Sequence, residues 1–280
     1  MVTISNEALR VTIAELGAEI QSVKGIDGHE YMWNGDPKFW ASHAPIMFPV
    51  CGGYKEDAYY MKGVRYPMTK HGFAKLLPWT VVESTGDCAV MTLTEKQEGF
   101  PFDYVFSVKY KLNGKKLEIT YTVENKGDVD FYYGIGSHEA YATPGGLEGC
   151  KVVFDETEDL MRYLLDGNLI LPEPVQMATG AKELELKTEY FAVDALVFPT
   201  LKSRGVTLVN KNDAHTVRVE YPDVDVLMLW TKPGADYICI EPWSNAPDMT
   251  TTDMQIEHKK GMIHLAPGEE KVVVHTILFD

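Results

Sequence analysis

The chain has only four cysteines in 280 residues, Cys51, Cys88, Cys150 and Cys239, far apart and with no CxxC pair. Neither a zinc knuckle nor a dense disulfide framework is expected, and the four are read as free thiols. Positive charge is also scarce, since 26 Lys and Arg against 41 Asp and Glu leave a formal charge of -15. Such a surface repels phosphate backbones and anionic lipid, so nucleic acid and membrane partners are not expected. No apolar run approaches the roughly 18 residues of a membrane-spanning helix. The opening "MVTISNEALRVTIAELGAEI" lacks a basic stretch followed by an apolar one, and the expected compartment is the cytoplasm. The eight histidines include no HExxH and no pair at i, i+4 spacing, so no metal is expected. "CGGYKED" and "TPGGLEG" are not followed by GK[ST] or by a helix, which excludes a phosphate-cradling nucleotide loop. No GxSxG elbow is present, and no cysteine has an activating context.

What the chain has in quantity is strand grammar. From Tyr104, Phe106, Val108, Tyr110 and Leu112 alternate with Ser107, Lys109 and Lys111; "NGK" turns the chain; then Leu117, Ile119, Tyr121 and Val123 alternate with polar residues. This is a hairpin with one buried face, and "ENKGD" is expected to feed "VDFYYGIG" as the third strand of an antiparallel meander. The pattern returns in residues 205–223, 224–231, 236–243 and in the closing "APGEEKVVVHTILFD", and residues 9–25 read as two short strands around Gly17. Helical periodicity is confined to a turn or two within 248–260. The class is all-β, a large sandwich. Length alone allows one domain or two, and the absence of a linker or repeat favours one spanning 1–280. Residues 31–80, rich in Pro and aromatics, read as long ordered loops on that scaffold, where binding sites tend to be carried.

Proton-transfer candidates stand in apolar company. In "YICIEPW", alternation places Ile238 and Ile240 on one face and Tyr237, Cys239 and Glu241 on the other, a half-buried face that would raise a carboxyl pKa and suit a general base. His138 ends a strand in "GIGSHEAY"; it is either a structural histidine bonded to a loop carbonyl or a ligand group, with Gly134 and Gly136 permitting close approach. Glu139 points away from His138 and is expected in solvent. His71 in "TKHGFAK" caps a turn or meets a ligand, and Lys75 is a solvated lysine or a contact. Asp194, the lone charge in "YFAVDALVFPT", belongs to a buried network or to a ligand. Trp33, Phe39, Trp40, Tyr133, Tyr141, Trp230 and Trp243 are mostly core, and any of them exposed in a cleft would stack on a sugar ring.

Taken in order, "WNGDPKFWASHAPIMFPVCGG", "KHGFAK", "GIGSHEAY", "DALVF" and "LWTKPGADYICIEPW" resemble the motifs of the aldose 1-epimerase (galactose mutarotase) family, in particular its LacX-like branch. The resemblance spans almost the full length. It implies a galactose-mutarotase-like β-supersandwich and anomer interconversion of an aldose without cofactor or metal. His138 falls on the family's general-acid position, Glu241 on its general-base position, and His71 and Asp194 on substrate-binding ones. The sequence departs from the pattern at three points. A sugar-contacting arginine is replaced by Gly53, with Lys55 the nearest cation; the arginine of H-G-F-A-R is Lys75, which loses the bidentate fork; and the proline after the histidine is Glu139.

The leading expectation is therefore a cytoplasmic mutarotase, monomer or homodimer, whose partner is a free hexose or related aldose. One alternative is a carbohydrate-binding or sensing protein, motivated by Gly53. A hexose-6-phosphate epimerase could use Lys55 and Lys75, but the acidic balance argues against it. A glycosidase using Glu241 and Glu139 would need both in one cleft.

Overall fold

Period-two alternation is realised along most of the chain. A computed structural model describes residues 1–280, built almost wholly of antiparallel strands with four 3-10 helices of three or four residues and no longer helix. The all-β expectation holds. Nine strands form the large sheet, in spatial order Val175–Glu185, Cys150–Arg162, Gly205–Asn210, Thr216–Glu220, Glu270–Phe279, Lys116–Asn125, Tyr104–Asn113, Cys88–Leu93 and Thr80–Ser84. The hairpin read at 104–123 is its centre, with Phe106 opposite Val123 and Leu112 opposite Leu117. Its two-residue loop starts at Gly114, whose φ of 55° is the left-handed conformation a tight hairpin requires.

The expected meander does not form. Phe131–Tyr133 pairs with Ile263–Leu265, and the place beside Lys116–Asn125 is taken by the terminal strand Glu270–Phe279. The cause is the buried Asn125, whose amide donates to the carbonyls of Val129 (2.9 Å) and Leu265 (3.0 Å) and so turns the chain out of the sheet. Within 31–80, read as loops, Ala58–Met61 and Val64–Pro67 form a further hairpin.

A second sheet has the order Glu139–Ala142, Tyr237–Trp243, Val226–Trp230, Leu196–Phe198. Its inner face carries Tyr141, Ile240, Leu229 and Leu196, which join Phe106, Ile119, Val219 and Ile277 of the large sheet in one core of 65 buried residues. Its outer face is covered too, by loops, and two small apolar clusters form there around Met228 and Trp243 and around Tyr237 and Cys239. All seven residues of Tyr237–Trp243 are consequently buried. Glu241 lies on the face that alternation assigns it, but that face is buried rather than half-buried.

Candidate active site

The register of the second sheet brings the two proton-transfer candidates together. Glu139 pairs with Ile240 and Gly136 with Trp243, so His138 stands directly opposite Glu241 on the outer face. His138 Nε2 lies 3.3 Å from Glu241 Oε2, at the floor of a cleft of about 840 Å³. Burial pushes the Glu241 carboxyl well above the ordinary carboxylate range, with Lys70 opposing the shift. Burial also lowers the His138 imidazole to about 3, with Lys75 and then Lys70 adding to it by repulsion. No hydrogen bond orients the His138 ring from behind, since Nδ1 is buried without a partner. Stacking does it instead: Trp40 lies 4.9 Å away at 30° and Trp230 meets the ring edge-on at 5.6 Å.

His71 reaches the same cleft from a tight turn. It adopts φ 67° and the following Gly72 φ 65°. A Cβ on Gly72 would come 2.2 Å from the Phe48 carbonyl oxygen, so the turn needs glycine there. A histidine held in the left-handed region costs of order 1–3 kcal/mol, a strain that gathers at functional sites. The backbone N–H of Gly52 donates to His71 Nδ1 at 3.1 Å, which makes Nδ1 an acceptor and leaves Nε2 as the N–H donor. Burial, then repulsion from His138, keeps this ring well below the usual imidazole range and hence neutral.

Lys75 and Asp194 also line the cleft, and Asp194 Oδ1 accepts the N–H of Ala195 at 2.8 Å. Lys55 does not reach it: its ammonium donates to the Thr250 carbonyl at 3.0 Å and its N–H to Asp248. The sequence-level candidates His138, Glu241, His71, Lys75 and Asp194 thus converge and Lys55 is set apart. Lys70, Lys232 and Asn168 line the cleft as well and were not among those candidates. For Lys70 a signal existed, its place directly before His71 in "TKHGFAK"; for the other two only the folded chain reveals it.

Two further expectations change. Glu139 does point away from His138, but into the core: it is 2% exposed and Oε1 lies 3.1 Å from His275 Nε2 on the large sheet. Because it faces the other side of the strand, it cannot form a glycosidase pair with Glu241. Gly134 and Gly136 make room for the protein and not for a ligand. A Cβ on Gly134 would strike Asn245 Oδ1 at 1.8 Å, and one on Gly136 would meet Trp243 at 2.5 Å.

At Gly53, where the resemblance places an arginine, a Cβ would approach Asn168 Cβ to 2.8 Å and its carbonyl oxygen to 3.0 Å. The turn carrying Asn168 occupies the space that an arginine would enter. Gly53→Arg is therefore expected to lower stability by about 1–3 kcal/mol through overpacking, read from the urea unfolding midpoint. An unchanged midpoint would show that the turn yields.

Donor atoms converge at two places. His138, Cys239 and Glu241 offer theirs within 4.8 Å of one another, as do His29, Asp213 and His215. At the first, burial pushes the Cys239 thiol well above its usual range, so an imidazole and a carboxyl remain as the working groups. At the second, both nitrogens of His215 are already bonded to Asp213 and Asp27 at 2.8 Å. The four cysteines are free thiols, and all four are buried.

Residues 1–277 match the family model described as Aldose 1-epimerase. Protein LacX of Lactococcus lactis subsp. lactis is 29% identical over 283 residues, covering 95% of each chain. The structure of a galactose mutarotase related enzyme from Lactobacillus acidophilus superposes with a TM-score of 0.93 at 30% identity, covering 99% of this chain and 96% of that one. A galactose mutarotase-like protein from Lactobacillus casei does so with a TM-score of 0.92 at 26% identity, covering all of both.

Proposed function

Because the chain belongs to the aldose 1-epimerase family and has the galactose-mutarotase-like β-supersandwich fold, we propose that it interconverts the α and β anomers of an aldose. His138 is the general acid and Glu241 the general base; His71, Lys75 and Asp194 contact the sugar. The observation that carries this is the 3.3 Å contact between an imidazole and a carboxyl at the floor of the cleft. Mutarotation moves protons at two oxygens attached to the same carbon, and two proton-transfer groups in contact suit such a substrate.

The steps balance on one proton. Glu241 takes the anomeric hydroxyl proton while His138 gives one to the ring oxygen, and the bond from C1 to the ring oxygen breaks. Rotation about C1–C2 turns the aldehyde, the freed hydroxyl attacks its other face, and each proton returns. A full cycle leaves the pair with the single proton it began with, and the 3.3 Å contact lets that proton pass between partners. Trp40 and Trp230 flank the imidazole and offer faces for the CH side of a pyranose. Residues 1–280 are read as one domain, supported by a core that draws side chains from Val2 to Phe279. No helix is long and apolar enough to cross a membrane, and a cytoplasmic location agrees with that.

Purified protein should bring α-anomers of aldoses to equilibrium faster than buffer does, followed by polarimetry. With a second proton gained only near pH 3, kcat/KM should fall on the acid side only as the pH nears that value, and the alkaline limb, where the pair loses its single proton, should lie above the ordinary carboxylate range. The limbs belong to the coupled pair. An acid limb centred at the ordinary imidazole value, where activity is lost as pH falls, would contradict the assignment. Sugar binding by calorimetry with no acceleration would point instead to a sensing protein.

A further inference from the structure

The strand that carries Glu241 has a proline inside it. Tyr237–Trp243 lies between Glu139–Ala142 and Val226–Trp230 in the small sheet, a central place where proline is disfavoured because it has no N–H for the ladder. The register sets Glu139 opposite Ile240 and Gly136 opposite Trp243, which puts Ser137 opposite Pro242. The Ser137 N–H donates to the Pro242 carbonyl at 3.3 Å. In an antiparallel ladder such a pair exchanges two bonds, and here the return bond, to the Ser137 carbonyl, has no donor at residue 242.

The next side chain supplies it. Trp243 Nε1 donates to the Ser137 carbonyl at 2.9 Å, and the bond is buried. That carbonyl belongs to the peptide unit that leads into His138. Gly136 makes the reach possible, because a Cβ there would come 2.5 Å from the indole Cδ1, so the ring rests on bare backbone. The same indole stands against His71, ring centroids 5.4 Å apart and planes at 74°. Because His138 Nδ1 has no partner of its own, the place of the imidazole depends on its stacking and on the backbone that delivers it.

We propose that Trp243 is a positioning residue for anomer exchange: its indole N–H replaces the ladder bond that Pro242 withholds and so holds His138 in contact with Glu241, while its ring backs His71. This rests on the epimerase reading and adds to it the residue that sets the acid in place. Trp243 lines the cleft but is only 1% exposed, so its task is to hold the protein's own groups and not to stack on a sugar. The Ser137 carbonyl needs one donor, whether it comes from the indole or from the backbone of residue 242. A donor restored at residue 242 therefore does the work of one lost from Trp243.

The test uses Trp243→Phe, which keeps an aromatic ring against His71 and loses the donor, and the double variant Pro242→Ala/Trp243→Phe, which gives residue 242 a backbone N–H. Anomer exchange of glucose and galactose is followed by exchange-resolved NMR. In Trp243→Phe, kcat should fall by about 10²-fold, the cost of misplacing a reacting group by ~1 Å, with KM little changed. Pro242→Ala should then recover most of the loss, which a packing role for the indole does not allow. The imidazole ¹⁵N signals of His138 report its surroundings without turnover; they should move in Trp243→Phe and return in the double variant. Wild-type kcat in Trp243→Phe, or a loss that Pro242→Ala leaves uncorrected, would overturn the proposal and leave the epimerase reading standing. Absence of acceleration by the wild-type protein would overturn that reading instead, and His138 signals unmoved by Trp243→Phe would overturn the placement as well.

Discussion

Glu241→Gln and His138→Ala should each lower kcat for anomer exchange by about 10²- to 10⁴-fold, the worth of one positioned proton transfer. Gln keeps the shape of the side chain but cannot accept the anomeric proton. Ala removes the imidazole that lies 3.3 Å from Glu241 on the cleft floor. The fold should survive both changes, because the two side chains project from the outer face of the small sheet while Ile240, Leu229 and Leu196 hold the inner face to the core. Since the groups act in one proton cycle, the double variant should be little worse than the poorer single one. Polarimetry checks the rates and circular dichroism the fold; ordinary exchange in either single variant would refute the assignment.

His275→Ala should lower stability strongly. His275 and Glu139 meet at 3.1 Å between the two sheets, 3% and 2% exposed. Removing the imidazole leaves the carboxyl without its partner in surroundings that include the Tyr110, Tyr121 and Tyr141 hydroxyls, which burial and then the Glu139 charge push well above their usual range. Breaking one side of a buried pair costs about 3–5 kcal/mol. Glu139→Gln, which keeps an acceptor for His275 and abolishes the charge, should cost much less. Urea unfolding of the two variants measures the difference, and equal losses would show that packing, not the pair, is what His275 supplies.

Much of this arrangement was legible beforehand. The 104–123 hairpin and the strand holding Glu241 alternate strictly, and their pairing follows from a period of two and a two-residue turn. The cleft residues could be placed because five ordered motifs resemble one family. The failures have identifiable causes. Cys150–Arg162 and Val175–Glu185 pair with three shifts of register, so their exposed polar runs break alternation and hide two of the longest strands. The meander fails because one amide, Asn125, bonds a carbonyl 140 residues away. Glu139 was sent to solvent because period two says which side a residue faces but not what covers that side. Lys55 was counted by sequence proximity to Gly53, which says nothing of where its ammonium ends.

The division between floor and walls bears on how such proteins diverge. His138 and Glu241 are set by strand register, and shifting either would carry Glu139 out of its partnership with His275 and expose the core face of the sheet. Lys70, Asn168, Asp194 and Lys232 stand instead on connecting segments over that floor. Substitutions in these loops change what the cleft walls contact while leaving untouched the strand register that sets His138 opposite Glu241.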